Sequence, residues 1–167
     1  MTGCALIGRL FGGQPRAETD AAPGAIVDLL EGHHVATLAI ADEAGPWAAS
    51  CFYAFDAATM TLIVLTSTNT RHGRALLASP RLAGSVAGQP AAIADIRGVQ
   101  FEATAKRLAG VRRAAALGRF ARRHPQAAVV PTDVWALRLD SVKYTDNRIV
   151  FARKLHWSRA TEEGSAP

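Results

Sequence analysis

Three apolar segments crowd into residues 34–66 with connections of only five and four residues between them, and this spacing constrains the chain more than any other feature. The first runs from about His34 to Ala41. Asp42-Glu43-Ala44-Gly45-Pro46 makes a turn, Trp47 to Phe55 forms the second segment, Asp56 to Thr59 turns again, and Met60 to Thr66 forms the third. Parallel strands need a crossover of a dozen or more residues, so gaps this short predict antiparallel hairpins. Along the second segment Trp47, Ala49, Cys51, Tyr53 and Phe55 fall on one face and Ala48, Ser50, Phe52 and Ala54 on the other. In the third, Met60, Leu62 and Val64 oppose Ile63 and Leu65. A sheet with one wet face alternates apolar and polar residues. These strands are instead expected to be covered twice, by a barrel interior on one side and by a helix or a second subunit on the other.

The rest of the chain extends that pattern. A helix is predicted from a cap at Thr19 or Asp20 to Gly32, with Ile26, Leu29 and Leu30 on one face. A second spans about Thr70 to Ala78 and stops at Pro80; a third spans about Val111 to Arg123 and is closed by His124-Pro125. Strands are predicted at Leu82–Ala87, at Ile93–Leu108, and as a last hairpin of Trp135–Tyr144 and Ile149–His156 around Thr145-Asp146-Asn147. From Val99 the long strand alternates cleanly, with Val99, Phe101, Ala103 and Ala105 facing in. Six or seven mostly antiparallel strands with three flanking helices argue for a mainly β fold, a small barrel rather than a doubly wound sheet. Residues 1–20 read as a mobile leader, 21–160 as a single domain and 161–167 as a frayed tail.

Composition narrows the function classes. The longest apolar run, Val35 to Ala41, is far short of the roughly 20 residues of a membrane-spanning helix. The apolar stretch Cys4 to Gly8 has no basic residue before it and is interrupted by Arg9, so a cytoplasmic protein is expected. Two cysteines, Cys4 and Cys51, make neither a disulfide framework nor a metal site. His33-His34 has no third ligand at a metal spacing and reads as a surface pair. No Ser/His/Asp, Cys/His or paired-carboxylate pattern supports a hydrolase, and no catalytic acid or base can be named. The net charge of +5 is concentrated between Arg97 and Arg123, where eight basic residues face Glu102 alone. On the helix at 111–123, Arg112, Arg119, Arg122 and Arg123 share an arc. The aromatic residues of a base-stacking surface are missing from it, so a solvated face is favoured over a nucleic-acid-binding module.

The stretch Leu65-Thr66-Ser67-Thr68-Asn69-Thr70-Arg71-His72-Gly73 carries the most chemistry. An apolar strand ends, four hydroxyl or amide residues follow, Thr70 makes a good N-cap, and Arg71 and His72 fall in the first helical turn. The helix dipole is positive there and the first amides lack partners, so cations are unfavourable unless an anion sits among them. Thr66, Ser67, Thr70, Arg71 and His72 are therefore a candidate phosphate cradle.

The succession of Thr66 to His72, Gly88-Gln89-Pro90, Ile96-Arg97-Gly98-Val99-Gln100-Phe101 and Lys143-Tyr144-Thr145-Asp146-Asn147 resembles a bacterial branch of the pyridoxamine 5'-phosphate oxidase-like superfamily, over about His33 to Trp157. The resemblance implies an FMN-binding split barrel and a homodimer with flavin sites at its interface. It implies that Ser50, Cys51 and Phe52 lie along the flavin ring and that Thr66, Ser67, Thr70, Arg71 and His72 hold the phosphate. Trp157 could stack on the flavin or close the barrel. The oxidases have Arg-Lys where Arg71-His72 stands, their glutamine falls on Gly98, and their substrate-phosphate residues have no match here. The implied activity is flavin-dependent redox chemistry on an unidentified small molecule. The alternative is a non-catalytic flavin- or haem-binding protein of the same fold.

Overall fold

The computed structural model describes residues 22–127, 131–148 and 153–160. The leader and tail expected at 1–20 and 161–167, the helix caps proposed at Thr19 and Asp20, and residues 149–152 of the last expected strand lie outside them. Among these residues seven strands, β1 (Val35–Asp42), β2 (Gly45–Asp56), β3 (Thr61–Leu65), β4 (Arg81–Ala87), β5 (Arg97–Arg107), β6 (Val134–Asp146) and β7 (Arg153–Ser158), accompany three α-helices, α1 (Gly24–Gly32), α2 (Arg71–Ala78) and α3 (Gly110–Arg123). All strand pairings are antiparallel, in the order β3-β2-β1-β4-β5-β6-β7.

A further pairing of β3 with β6, from Thr61↔Arg138 to Leu65↔Val134, closes six strands into a barrel. β6 makes this possible by its length. It runs beside β5 throughout, while its other edge takes β3 along the first half and β7, from Ser141↔Ser158 to Asp146↔Arg153, along the second. The β5–β6 register shifts between Glu102 and Ala103, where the chain bends.

The barrel is filled by inward residues of every strand, among them Leu38, Tyr53, Leu62, Val64, Leu137 and Leu139. α1 adds Ile26, Leu29 and Leu30 to the same cluster. It begins at Pro23 without a side-chain cap, and this burial, about 1.5–3 kcal/mol per large side chain, outweighs the missing cap. Its far end is tied down by the Tyr53 hydroxyl, which donates to the Leu30 carbonyl at 2.7 Å.

The two-sided burial expected of β2 and β3 is found on the part of the outer surface that α3 covers. Ala116 and Phe120 of α3 cover Ala54, Ile63 and Val134. Further along β2, Ala48, Ser50 and Phe52 are exposed. One expected strand is shorter than its sequence suggests: Ile93–Asp95 is a 3₁₀ turn, and β5 begins at Arg97. Asn147 holds that turn open, its amide groups donating to the carbonyls of Ile93 and Ile96. Among the described residues no helix is long and apolar enough to cross a membrane.

Candidate functional site

The turn from β3 into α2 is fastened to the start of β6. The Thr66 amide donates to the Asp133 carbonyl (3.1 Å), the Thr68 amide to Asp133 Oδ2 (3.0 Å), and the Trp135 indole N–H to the Thr66 carbonyl (3.0 Å). Thr70 caps α2 as its sequence position predicts: Oγ1 accepts from the Gly73 amide at 3.0 Å and donates to the Ser67 carbonyl at 2.8 Å. Ser67 Oγ accepts from the Asn69 amide at 3.0 Å. Gly73 is required by close approach, since a Cβ there would lie 2.1 Å from the Ser67 carbonyl oxygen.

Arg71 and His72 resolve the dipole conflict in different ways. Arg71 meets a carboxylate: Nε and Nη2 donate to the two oxygens of Asp42 at 2.8 and 2.7 Å, and Nη2 also reaches the Gly45 carbonyl at 3.2 Å. Its guanidinium lies 4.7 Å from the centroid of the Trp47 ring. The hydrogen bonds from Arg71 hold the Asp42 carboxyl below the usual carboxylate range. His72 instead avoids charge. Its Nε2 lies 2.6 Å from Thr66 Oγ1, and burial lowers its pKa from the ordinary 6.5, favouring neutral imidazole.

Thr66, Ser67, Thr70, Arg71 and His72 are thus gathered within one turn. Ser50 and Phe52 project from the outer face of β2, Phe52 with 59% of its surface exposed. Cys51 points the other way into the core, and burial pushes its thiol pKa up. Trp157 is also in the core, with its indole nitrogen buried and unpaired and the Arg159 guanidinium 5.5 Å from its ring centroid. Beside Phe52 stands His124, 5.3 Å between ring centroids, and His34 lies 5.9 Å beyond. No group of three metal-ligating side chains occurs among the described residues.

Sequence reasoning missed Asp42 and Asp133, which anchor this turn from 29 and 65 residues away in the chain. Asp42 reads locally as a turn residue, and nothing in its neighbourhood points to Arg71. The motifs at 96–101 and 143–147 are brought together as strand partners, with Arg97 opposite Asp146 and Gln100 opposite Lys143. Asp146 is buried there, accepting from the Tyr144 hydroxyl at 2.7 Å and from Arg148 at 2.8 Å, and Arg148 keeps it ionised.

No protein-family model matches the chain. It is 44% identical over 134 residues to a UPF0306 protein of Serratia proteamaculans, covering 80% of this chain and 93% of that one. In structure it resembles a haem-binding protein from Mycobacterium smegmatis (TM-score 0.65, 22% identity), covering 80% of this chain and 58% of that protein's length. It also resembles a proposed pyridoxamine 5'-phosphate oxidase from Listeria innocua (TM-score 0.60, 13% identity), covering 72% and 95%. The fold is the split barrel of pyridoxamine 5'-phosphate oxidase-like proteins.

Proposed function

The chain belongs to the UPF0306 family, and from its split-barrel fold and the turn at the start of α2 we propose that it binds FMN and acts as a flavin-dependent oxidoreductase on a small molecule. The observation that carries this reading is the donor set of that turn. Arg71 and His72 supply the first two amides of α2, which a helix cannot pair internally, and neither makes a hydrogen bond among the described residues. The Ser67 hydroxyl and the guanidinium of Arg71 belong to the same turn, and the buried Thr66 hydroxyl, held by His72 Nε2 and Thr70 Oγ1, supports it from within. This set fits one terminal phosphate, and the sequence has no glycine-rich pyrophosphate loop at this turn, which favours FMN over a dinucleotide.

Ser50 and Phe52, exposed on β2, would bed the ring system, with Cys51 contributing main chain only. FMN, when bound, supplies the electron or hydride transfer. The chain's own part is to hold the phosphate and keep Arg71 oriented through Asp42. We further propose a homodimer, in which a second subunit covers the open part of the β2 face. A second reading, haem binding, is favoured by His34 and His124 beside Phe52. Desolvation and the charge of Arg123 lower the His34 pKa, leaving a neutral imidazole available as a ligand.

The test is a titration with FMN, riboflavin and haemin, followed by visible spectra after desalting. Retained FMN with quenched fluorescence and much weaker riboflavin binding supports the first reading. Equal affinity for FMN and riboflavin sinks it. A retained Soret band that is lost in His34→Ala would establish the second.

A further inference from the structure

A groove of about 1010 Å³ lies between α3 and the outer surface of β3, β5 and β6, away from the α2 turn. Its floor is apolar, formed by Ile63, Ala116 and Ala136, with Thr61 and Thr104 on either side of Arg138 in the strand register. Its walls carry six cations, Lys106, Arg112, Arg119, Arg122, Arg138 and Arg159, against one lining carboxylate, Asp56. The α3 residues reach it together because positions 112, 119 and 122 fall on one helical face, with Ala115 and Ala116 leaving room between them.

Charge compensation within the groove is incomplete. Arg119 pairs with Asp56 at 3.5 Å and Arg138 with Asp140 at 3.4 Å. Lys106, Arg112 and Arg122 have no carboxylate partner among the described residues. Arg159 is hydrogen-bonded by carbonyl oxygens, Nε donating to Leu139 at 3.1 Å and Nη2 to Thr59 at 2.8 Å. Its side chain is therefore held in place without a carboxylate within ion-pair distance. Lys106, Arg112 and Arg122, left without a carboxylate partner around the apolar floor, repel one another unless an anion enters.

We propose that this groove is a binding site for a small phosphorylated molecule bearing two or more negative charges. Its volume is at the upper end of the range for small-molecule sites and far exceeds that of a single ion. Phosphate oxygens would take the free guanidinium N–H groups in paired hydrogen bonds, and the compact body of the molecule would cover Ile63 and the alanines. A nucleic acid fits less well, because no aromatic side chain lines the groove for base stacking. No residue of the turn at the start of α2 lines the groove, so its donors are distinct from those of the proposed flavin phosphate site.

The experiment is calorimetric titration of the full chain with inorganic pyrophosphate, the two-phosphorus probe, and with a single-stranded DNA 20-mer. The variants are Arg112→Gln/Arg122→Gln, Lys154→Gln (an exposed cation on β7) and Arg71→Ala. Neither Arg112 nor Arg122 makes an ion pair, so the double variant is expected to fold, which circular dichroism checks. Pyrophosphate should bind the native chain, weaken about tenfold or more in the double variant, and change less than twofold in Lys154→Gln. Absence of binding up to roughly 10 mM, or equal binding by the double variant, overturns the site. Loss in Arg71→Ala alone assigns the anion to α2 and overturns it as well. DNA binding that depends on Arg112 and Arg122 without pyrophosphate binding replaces it with a nucleic-acid surface.

Discussion

Arg71 stands where the dipole of α2 disfavours a cation, and Asp42 is what holds it there. The pairing leaves Nη1 and the main-chain amide for a ligand, so the same residue serves the β1–β2 hairpin and the proposed phosphate. Arg71→Ala is expected to weaken FMN binding by about tenfold to a hundredfold in a fluorescence titration, the range for charge-assisted hydrogen bonds. It should also lower the urea midpoint of the cofactor-free protein, because Asp42 loses its partner. Arg71→Lys should recover part of the charge but not the two-pronged contact, giving intermediate affinity. His72 makes a separate, pH-dependent prediction. Its folded pKa lies below the ordinary 6.5, so its contribution to stability is present above that value and is lost as the pH falls through the lower, folded one. His72→Gln keeps a polar atom near Thr66 Oγ1 and cannot titrate. Urea midpoints measured from pH 8 down to about pH 5 should fall less steeply in this variant than in the native chain. Parallel slopes would assign the acid sensitivity to other groups, His34 among them.

The β3–α2 junction shows how tightly one element is fitted to the next. Gly73→Ala would press a methyl group into the Ser67 carbonyl, a main-chain atom that cannot rotate away. The variant is expected to lose about 1–3 kcal/mol in urea unfolding, as overpacked sites do, and to bind FMN more weakly because Thr66–Thr70 shifts. Gly118 on α3 is the contrast. A Cβ there meets only the end of the Arg122 side chain at 4.0 Å, so Gly118→Ala should stabilise by about 0.5–1 kcal/mol. α2 itself was legible in the sequence, since Thr70 before Arg71 and Pro80 after Ala78 are local punctuation whose meaning does not depend on the fold. The hairpins β1–β2 and β2–β3 were legible for the same reason. Ile93–Asp95 was not: its residues continue the apolar tone of β5, and the turn is held by Asn147, some 50 residues on. The partners of Arg71 and Thr68 were hidden in the same way, because an ion pair between distant residues leaves no periodic trace in either segment.

For the molecule as a whole, the step invisible to local patterning is closure. β3 and β6 are about 70 residues apart, and only their pairing turns an open antiparallel sheet into a barrel with an inside and an outside. What local patterning did show is that β2 and β3 are apolar on both faces, and the closed barrel makes that a quantitative problem. α3 covers Ala54 and Ile63, but Val35 and Phe52 sit side by side in the β1–β2 register and remain exposed at 40% and 59%. A continuous apolar area of this kind is rare on a free surface and is usually covered by another chain. If a second copy covers it, light scattering should return about twice the 17.7 kDa of the chain at micromolar concentration. Phe52→Glu should shift the mass toward the monomer while leaving the far-ultraviolet circular dichroism unchanged, because the side chain supports no core contact. Phe120→Glu, which breaks the face already covered by α3, should unfold the protein instead. A native chain that scatters as a monomer would leave Val35 and Phe52 to the cofactor alone, and added FMN should then protect the main-chain amides of β2 from hydrogen exchange without any change in mass.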